Sequence, residues 1–225
     1  VDALNGVATA AQRRLIFEEF FLFQAGLVLR KRRNAALRKA RPVRVDDRIR
    51  DAARKVLPFP LTTGQKSALR EIVTDMQREE PMHRLLQGDV GAGKTIVALL
   101  AALVAMENGF QVAFMAPTEI LADQHYLTIR RLLEASRFRV ASLTGSLTAA
   151  KKRAALAEIA SGTTHLVIGT HALVEGAVTF HDLGLVIIDE QHRFGVLQRA
   201  TLRDKGLRPD VLVMTATPIP RTLAL

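Results

Sequence analysis

Residues 88–95 read GDVGAGKT, a full G-x-x-x-x-G-K-T, and they stand between a short strand-like run, His83–Gln87, and a helix-forming run, Thr95–Asn108. That context is the one such a loop requires. Its glycines let backbone N–H groups turn inward around phosphate oxygens, and the helix N-terminus behind it adds partial positive charge. Gly88, Asp89, Val90, Gly91, Ala92 and Gly93 would form the cradle, Lys94 would reach the β- and γ-phosphates of a nucleotide, and the Thr95 hydroxyl would ligate Mg²⁺. A strand feeding a helix through this loop calls for a parallel sheet.

The sequence downstream supplies one. Short β-rich runs at His83–Gln87, Gln111–Ala116, Arg139–Leu143, His165–Ile168, Leu185–Asp189 and Val211–Thr215 alternate with helical patterns starting near Gly93, Glu119, Leu147 and Phe194. This alternation predicts an α/β domain, a parallel sheet flanked by helices. Upstream, Ala10–Lys39 carries good helix formers, with Leu15, Phe17, Phe20, Phe21, Leu27 and Val28 at apolar positions, and predicts one long helix or two. Leu57-Pro58-Phe59-Pro60 interrupts the helical pattern, and Thr62-Thr63-Gly64 reads as a turn after it. We therefore expect residues 1–56 to form a helical, basic linker and residues 57–225 to form the α/β domain.

Composition narrows the setting. The 225 residues contain no Cys, so disulfides and thiolate metal sites are excluded, and the six His never pair at ligand spacing. The longest apolar run, Ile96–Met106, is well short of the roughly 20 residues of a membrane span. A cytoplasmic protein with no membrane partner is expected. Of the net charge of +10, nine charges come from Arg30–Lys55, where twelve Lys/Arg face Asp46, Asp47 and Asp51. Such a block attracts polyanions and favours a nucleic-acid partner.

The run LVIIDEQHRF, residues 185–194, passes from a buried-strand pattern into four polar residues. With a phosphate loop earlier in the same sheet, Asp189 would hold Mg²⁺ and Glu190 would orient and deprotonate a water. Gln191 and His192 would then sense the terminal phosphate. The loops Pro117-Thr118-Glu119, Thr144-Gly145-Ser146 and Gly169-Thr170-His171 follow the other strands. They leave the sheet at the carboxyl edge, where open α/β sheets bind ligands. Their hydroxyls, glycines and helix N-termini suit a phosphate backbone gripped without reading sequence, although any one hydroxyl alone would be an ordinary helix cap.

Taken in order, GDVGAGKT, MAPTEILADQH, LTGS, IGTHAL, DEQH and MTATPIPRTLAL resemble the first motor domain of superfamily 2 helicases, specifically the bacterial RecG-type ATP-dependent DNA helicases. The likeness runs from about Gln12 to Leu225. QRRLIFEEFFLFQAGLVLR, LLQGDVGAGKT and Gln191 favour that group over the transcription-repair coupling translocases, whose acidic motif more often reads DEEH. The resemblance implies a RecA-like P-loop NTPase domain after an α-helical linker, with ATP and Mg²⁺ as cofactors and an ATP hydrolase activity that drives remodelling of stalled forks and Holliday junctions. It implies that Phe59 and Gln65 recognise adenine, and that Pro117, Thr118, Thr144, Gly145, Ser146, Gly169, Thr170, His171 and Phe194 contact DNA. It also implies that Thr215, Ala216 and Thr217 couple hydrolysis to movement.

The chain begins at Val1 and stops at Leu225, directly after MTATPIPRTLAL. We expect it to be part of a longer, monomeric protein that also carries a second RecA-like domain with an arginine finger and an N-terminal wedge domain. An arginine finger is worth about 10³–10⁵ in rate in related phosphoryl-transfer systems, so this piece alone should bind ATP and turn it over weakly or not at all. Two other readings stay open from sequence: a transcription-coupled translocase, and a non-catalytic module in which ATP only switches nucleic-acid affinity.

Overall fold

The computed structural model describes residues 9–35, 38–39, 41–190 and 208–216. The chain divides into two compact units, one of residues 1–37 and 219–225 and one of residues 38–218. In the first, helix α1 (Ala10–Ala35) begins at a Thr9–Gln12 cap and carries stacked Phe17 and Phe21 rings 5.9 Å apart. Leu15, Phe17, Phe20, Phe21 and Phe23 are exposed on it.

The second unit is built on six parallel strands: β1 (His83–Gln87), β2 (Gln111–Met115), β3 (Val140–Leu143), β4 (Leu166–Gly169), β5 (Leu183–Asp189) and β6 (Asp210–Thr215). Their order across the sheet is β1-β6-β5-β2-β4-β3. All six predicted strands are present, with ends shifted by a residue or two. The central strands read as unbroken apolar runs because both faces are covered. Val112, Phe114, Leu185, Ile187, Leu212 and Met214 enter one core, while Ala113, Met115, Val186, Ile188 and Val211 enter the other, as the two-residue strand period requires.

Helix α4 (Lys94–Glu107) is buried from Val97 to Met106 and apolar all round. It lies in the first core with α2 (Asp47–Val56) and α3 (Thr63–Met76), which contribute Ile49, Val56, Ile72 and Met76. Helix α5 (Glu119–Leu132) adds Ala122 and Ile129 to that face, and α6 (Ala149–Ala160) places Ile159 in the other core. Where Thr62-Thr63-Gly64 predicted a turn, α3 begins. Thr62 and Gln65 form a reciprocal capping box, whose local bonds outweigh the cost of Gly64 in the first turn. The helix predicted near Phe194 lies outside the described residues. Among those residues no helix is long and apolar enough to cross a membrane.

Residues 38–56 pack into this second unit. Val43 and Ile49 are buried in its first core, and Lys39 reaches Asp210 at the start of β6, Nζ lying 3.0 Å from both carboxylate oxygens. The two side chains are 5% and 3% exposed. Asp210 also accepts from the Met82 N–H at 2.7 Å, and Lys39 donates to Met76 O at 2.7 Å. Burial raises the Asp210 carboxyl above its ordinary value, against the pull of the Met82 N–H and the Lys39 ammonium. A pair this buried is held by mutual satisfaction, so losing one member costs more than replacing both. Asp210→Ala should therefore destabilise the protein by about 3–5 kcal/mol in urea unfolding, and adding Lys39→Met should recover a large part of that loss. Equal stability of Asp210→Ala and the parent would show that the pair is not the anchor described here.

Candidate functional site

Three neighbouring strands end level with one another. Beyond the last regular pairs, the Gly88 N–H donates to Thr215 O at 3.3 Å and the Glu190 N–H donates to Met214 O at 3.0 Å. The glycine-rich loop after β1, Asp189 and Glu190 at the end of β5, and Thr215 and Ala216 at the end of β6 are thereby assembled side by side at the carboxyl edge. β5 and β6 are apolar through Ile188 and Met214 and turn polar at their last residues, while β1, with Leu86 buried, passes directly into the glycine-rich loop.

The loop is shaped by backbone conformation. Gly91 and Gly93 take φ values of 83° and 80°, in the left-handed region that favours glycine. Gly93 is the N-cap of α4, and a Cβ there would run into the Gln65 amide. Gln65 does two jobs at once. Its Oε1 accepts from the Thr62 N–H at 3.0 Å, closing the capping box, and its Nε2 donates to Ala92 O at 3.0 Å, bracing the glycine-rich loop. Lys94 Nζ donates to Gly88 O at 2.7 Å and Asp89 O at 2.9 Å, which holds its positive charge inside the loop. Phe59 is half exposed and lines an open cavity of about 470 Å³ with Pro58, Ile96 and Thr128.

The acidic pair is held differently at its two members. Glu190 has φ 51°, a left-handed conformation costing a non-glycine residue about 1–3 kcal/mol, and its Oε1 accepts from the Ala216 N–H at 3.3 Å. That bond ties the acidic end of β5 to the end of β6. Asp189 is held from a helix instead, its Oδ2 lying 2.9 Å from Nε2 of His125 on α5. Gln191, His192, Phe194 and Thr217 lie outside the described residues.

The loops after β2, β4 and β3 occupy the other half of the same edge. Thr118 caps α5, its Oγ1 accepting from the Leu121 N–H at 3.3 Å. Thr144 is buried with Oγ1 3.0 Å from Ser146 Oγ, and Thr170 is buried as well. Thr118, Gly145, Ser146 and His171 are exposed and Pro117 half-buried, while Gly169 is buried at the end of β4. Glu119 Oε1 accepts from the Gly145 N–H at 2.8 Å and so locks two of these loops together. Sequence reasoning placed Glu119 in the loop after the second strand but gave no separate role to it or to His125. For His125 the available signal was its spacing from Ala122 and Ile129, which sets a polar ring on the buried face of α5.

Residues 62–225 match the DEAD/DEAH box helicase family. The chain is 51% identical to the ATP-dependent DNA helicase RecG of Aquifex aeolicus over its whole length, which is 28% of that protein. It is 52% identical to the ATP-dependent DNA helicase RecG of Streptococcus pneumoniae over 96% of the chain and 32% of that protein. Thus the chain spans about a third of the length of the curated relatives it matches. A solved structure of RecG bound to a three-way DNA junction superposes with a TM-score of 0.81 at 46% identity, covering 95% of this chain and 28% of that one. The helicase domain of Pyrococcus furiosus Hef shares the fold, with a TM-score of 0.57 at 23% identity over 70% of this chain and 33% of that one.

Because Gly93 has both a left-handed backbone and the Gln65 amide against it, Gly93→Ala should distort the loop while leaving the sheet intact. We expect fluorescent-nucleotide affinity to fall at least about tenfold, which corresponds to about 1.4 kcal/mol, with far-ultraviolet circular dichroism unchanged. Unchanged affinity would mean that the loop tolerates a side chain there.

Proposed function

The chain belongs to the DEAD/DEAH box helicase family, and from that premise we propose that it is the ATP-binding half of a RecG-type DNA translocase that remodels branched double-stranded DNA. The observation that carries this reading is the convergence of phosphate loop, acidic pair and Thr215–Ala216 on three adjacent strand ends. The similarity to RecG relatives supports the choice of branched DNA over other nucleic acids. In this reading the wedge domain and the second RecA-like domain, with its arginine finger, belong to the remainder of the full-length protein, which works as a monomer in the cytoplasm.

ATP is the substrate. The loop N–H groups and the N-terminus of α4 bind its phosphates, and Lys94 exchanges its carbonyl partners for phosphate oxygens. Phe59 packs against the adenine. Gln65 acts on the base from the position in which it also braces Ala92, so base recognition and loop shape share one side chain.

Thr95 and Asp189 are the residues that would hold Mg²⁺. A hydroxyl and a carboxylate are hard oxygen donors, and among the described residues no group of three or more His, Cys, Asp or Glu forms a cage. That donor set fits an ion that keeps waters and substrate oxygens in its coordination shell. When bound, Mg²⁺ neutralises charge on the β- and γ-phosphates. Glu190 takes the proton of the attacking water, and the Ala216 N–H fixes the carboxylate that does so. Because that donor sits in the segment after β6, movement of Thr215–Ala216 and orientation of the base are linked. On the other half of the edge, Gly145, Ser146 and His171 grip the DNA backbone with the α5 N-terminus at Thr118, while buried Thr144 and Thr170 shape their loops.

The test uses the full-length protein. ATP hydrolysis should be stimulated by three-way-junction DNA, and Glu190→Gln should lower kcat by at least about 10²-fold while nucleotide affinity stays within a few-fold of the parent. Hydrolysis that persists in Glu190→Gln would remove this residue from the role of base. Hydrolysis indifferent to DNA would remove the translocase reading.

A further inference from the structure

The carboxyl edge is divided between β1, β6 and β5, which carry the nucleotide groups, and β2, β4 and β3, whose loops face DNA in the reading above. His125 crosses that division. It stands on α5 seven residues after Thr118, roughly 10 Å along the helix from the cap. Ala122 and Ile129, on the same helix face, are fully buried. The His125 side chain is 13% exposed, and so is that of its partner Asp189.

The contact is well defined on both sides of the ring. Nε2 lies 2.9 Å from Asp189 Oδ2, and the ring centroid lies 4.7 Å from that of Phe114. Phe114 on β2 pairs in register with Ile187, two residues before Asp189, so ring and carboxylate meet on one face of the sheet. A carboxylate oxygen accepts, and Nε2–H donates. Holding Oδ2 fixes the carboxylate plane and therefore the position of Oδ1. Partners of this kind orient ligating carboxylates, and their loss typically costs 10–100-fold in metal affinity.

We propose that His125 is a positioning residue that holds the Asp189 carboxylate and makes α5 the link between the Pro117–Thr118 loop and the metal-binding end of β5. This inference rests on the reading of Asp189 as a Mg²⁺ ligand. Strand contact at the N-terminus of α5 displaces or steadies a helix whose second turn is bonded to that ligand. Binding equilibria joined in this way are reciprocal. DNA that improves the geometry of Asp189 tightens Mg²⁺–nucleotide binding, and Mg²⁺–nucleotide tightens DNA binding by the same factor.

The experiment titrates Mg²⁺ into full-length protein with a fluorescent ATP analogue, with and without three-way-junction DNA, and reads binding rather than turnover. In the parent, junction DNA should lower the Mg²⁺ concentration at half-saturation. His125→Ala should raise that midpoint about tenfold and abolish its response to DNA, with analogue affinity in EDTA unchanged. His125→Gln, whose amide nitrogen can donate from a similar reach, should restore most of both effects. A parent-like midpoint and DNA response in His125→Ala would overturn the proposal. Equal impairment of the Ala and Gln variants would also overturn it, since the contribution would then be ring packing on Phe114. If binding by the parent itself ignores Mg²⁺, the metal-ligand reading of Asp189 fails first and this proposal falls with it.

Discussion

The parallel ladder of β1, β6 and β5 sets the height of every group on the half of the edge that carries the glycine-rich loop and the acidic pair. Gln87 stands opposite Thr215, and Met214 stands opposite Asp189. The loop therefore leaves β1 level with the segment that leaves β6, and Glu190 follows one residue beyond. A slip of one residue in β5 would turn Asp189 to the other face of the sheet and bring Ile188 to its place. Such a slip is opposed by the whole strand, because Leu185 and Ile187 would exchange cores with Val186 and Ile188. The same apolar alternation that drives folding thus fixes which way the carboxylate points.

The ladder also supports backbone conformations that are unfavourable in isolation. Glu190 is left-handed without being glycine, and its main-chain bond to Met214 together with the Ala216 contact hold it there. In the glycine-rich loop the left-handed positions fall on glycines, so little strain is stored, but the space behind Gly93 is filled by Gln65. The loop is consequently shaped from behind by a helix cap. One amide side chain serves secondary structure and loop geometry together, and neither contact is part of the adenine recognition that the family resemblance implies for Gln65.

The strands and their order of polar breaks are legible in the sequence. Parallel strands covered on both faces appear in sequence as uninterrupted Val, Ile, Leu and Ala, and the polar break at their ends marks the ligand edge, so the strands and the loop after each could be read directly. The start of α3 was misread because Thr-Thr-Gly has turn composition, whereas the deciding interaction is the Thr62–Gln65 reciprocal cap. The bonds between elements were not legible. Glu119 to Gly145 spans 26 residues, His125 to Asp189 spans 64, and Lys39 to Asp210 spans 171. Nothing local in the chain encodes such pairings. The best trace any of them leaves is a polar residue at an apolar position, as at His125, or at the head of a buried strand, as at Asp210.

The basic block shows how charge on a sequence becomes something else in a fold. Read along the chain, residues 30–55 present a dense positive field. In the described part, Arg38 meets Glu79 and Glu80, Arg41 meets Asp182, and Arg50 and Arg54 meet Asp47 and Asp51 one helical turn away. Exposed pairs of this kind add little stability, yet each partner carboxylate cancels part of the field that a distant polyanion would feel. The Lys39 side chain is largely withdrawn from solvent and joined to Asp210, at the amino end of the strand whose carboxyl end carries Thr215. The span between them is about 17 Å at the ordinary strand rise. The segment that enters the α/β unit is therefore pinned to one end of β6 while Glu190 is bonded just past the other. A strand paired on both sides thus joins two fixed ends, and the charge that Lys39 contributes to the basic block serves in the fold as a buried anchor.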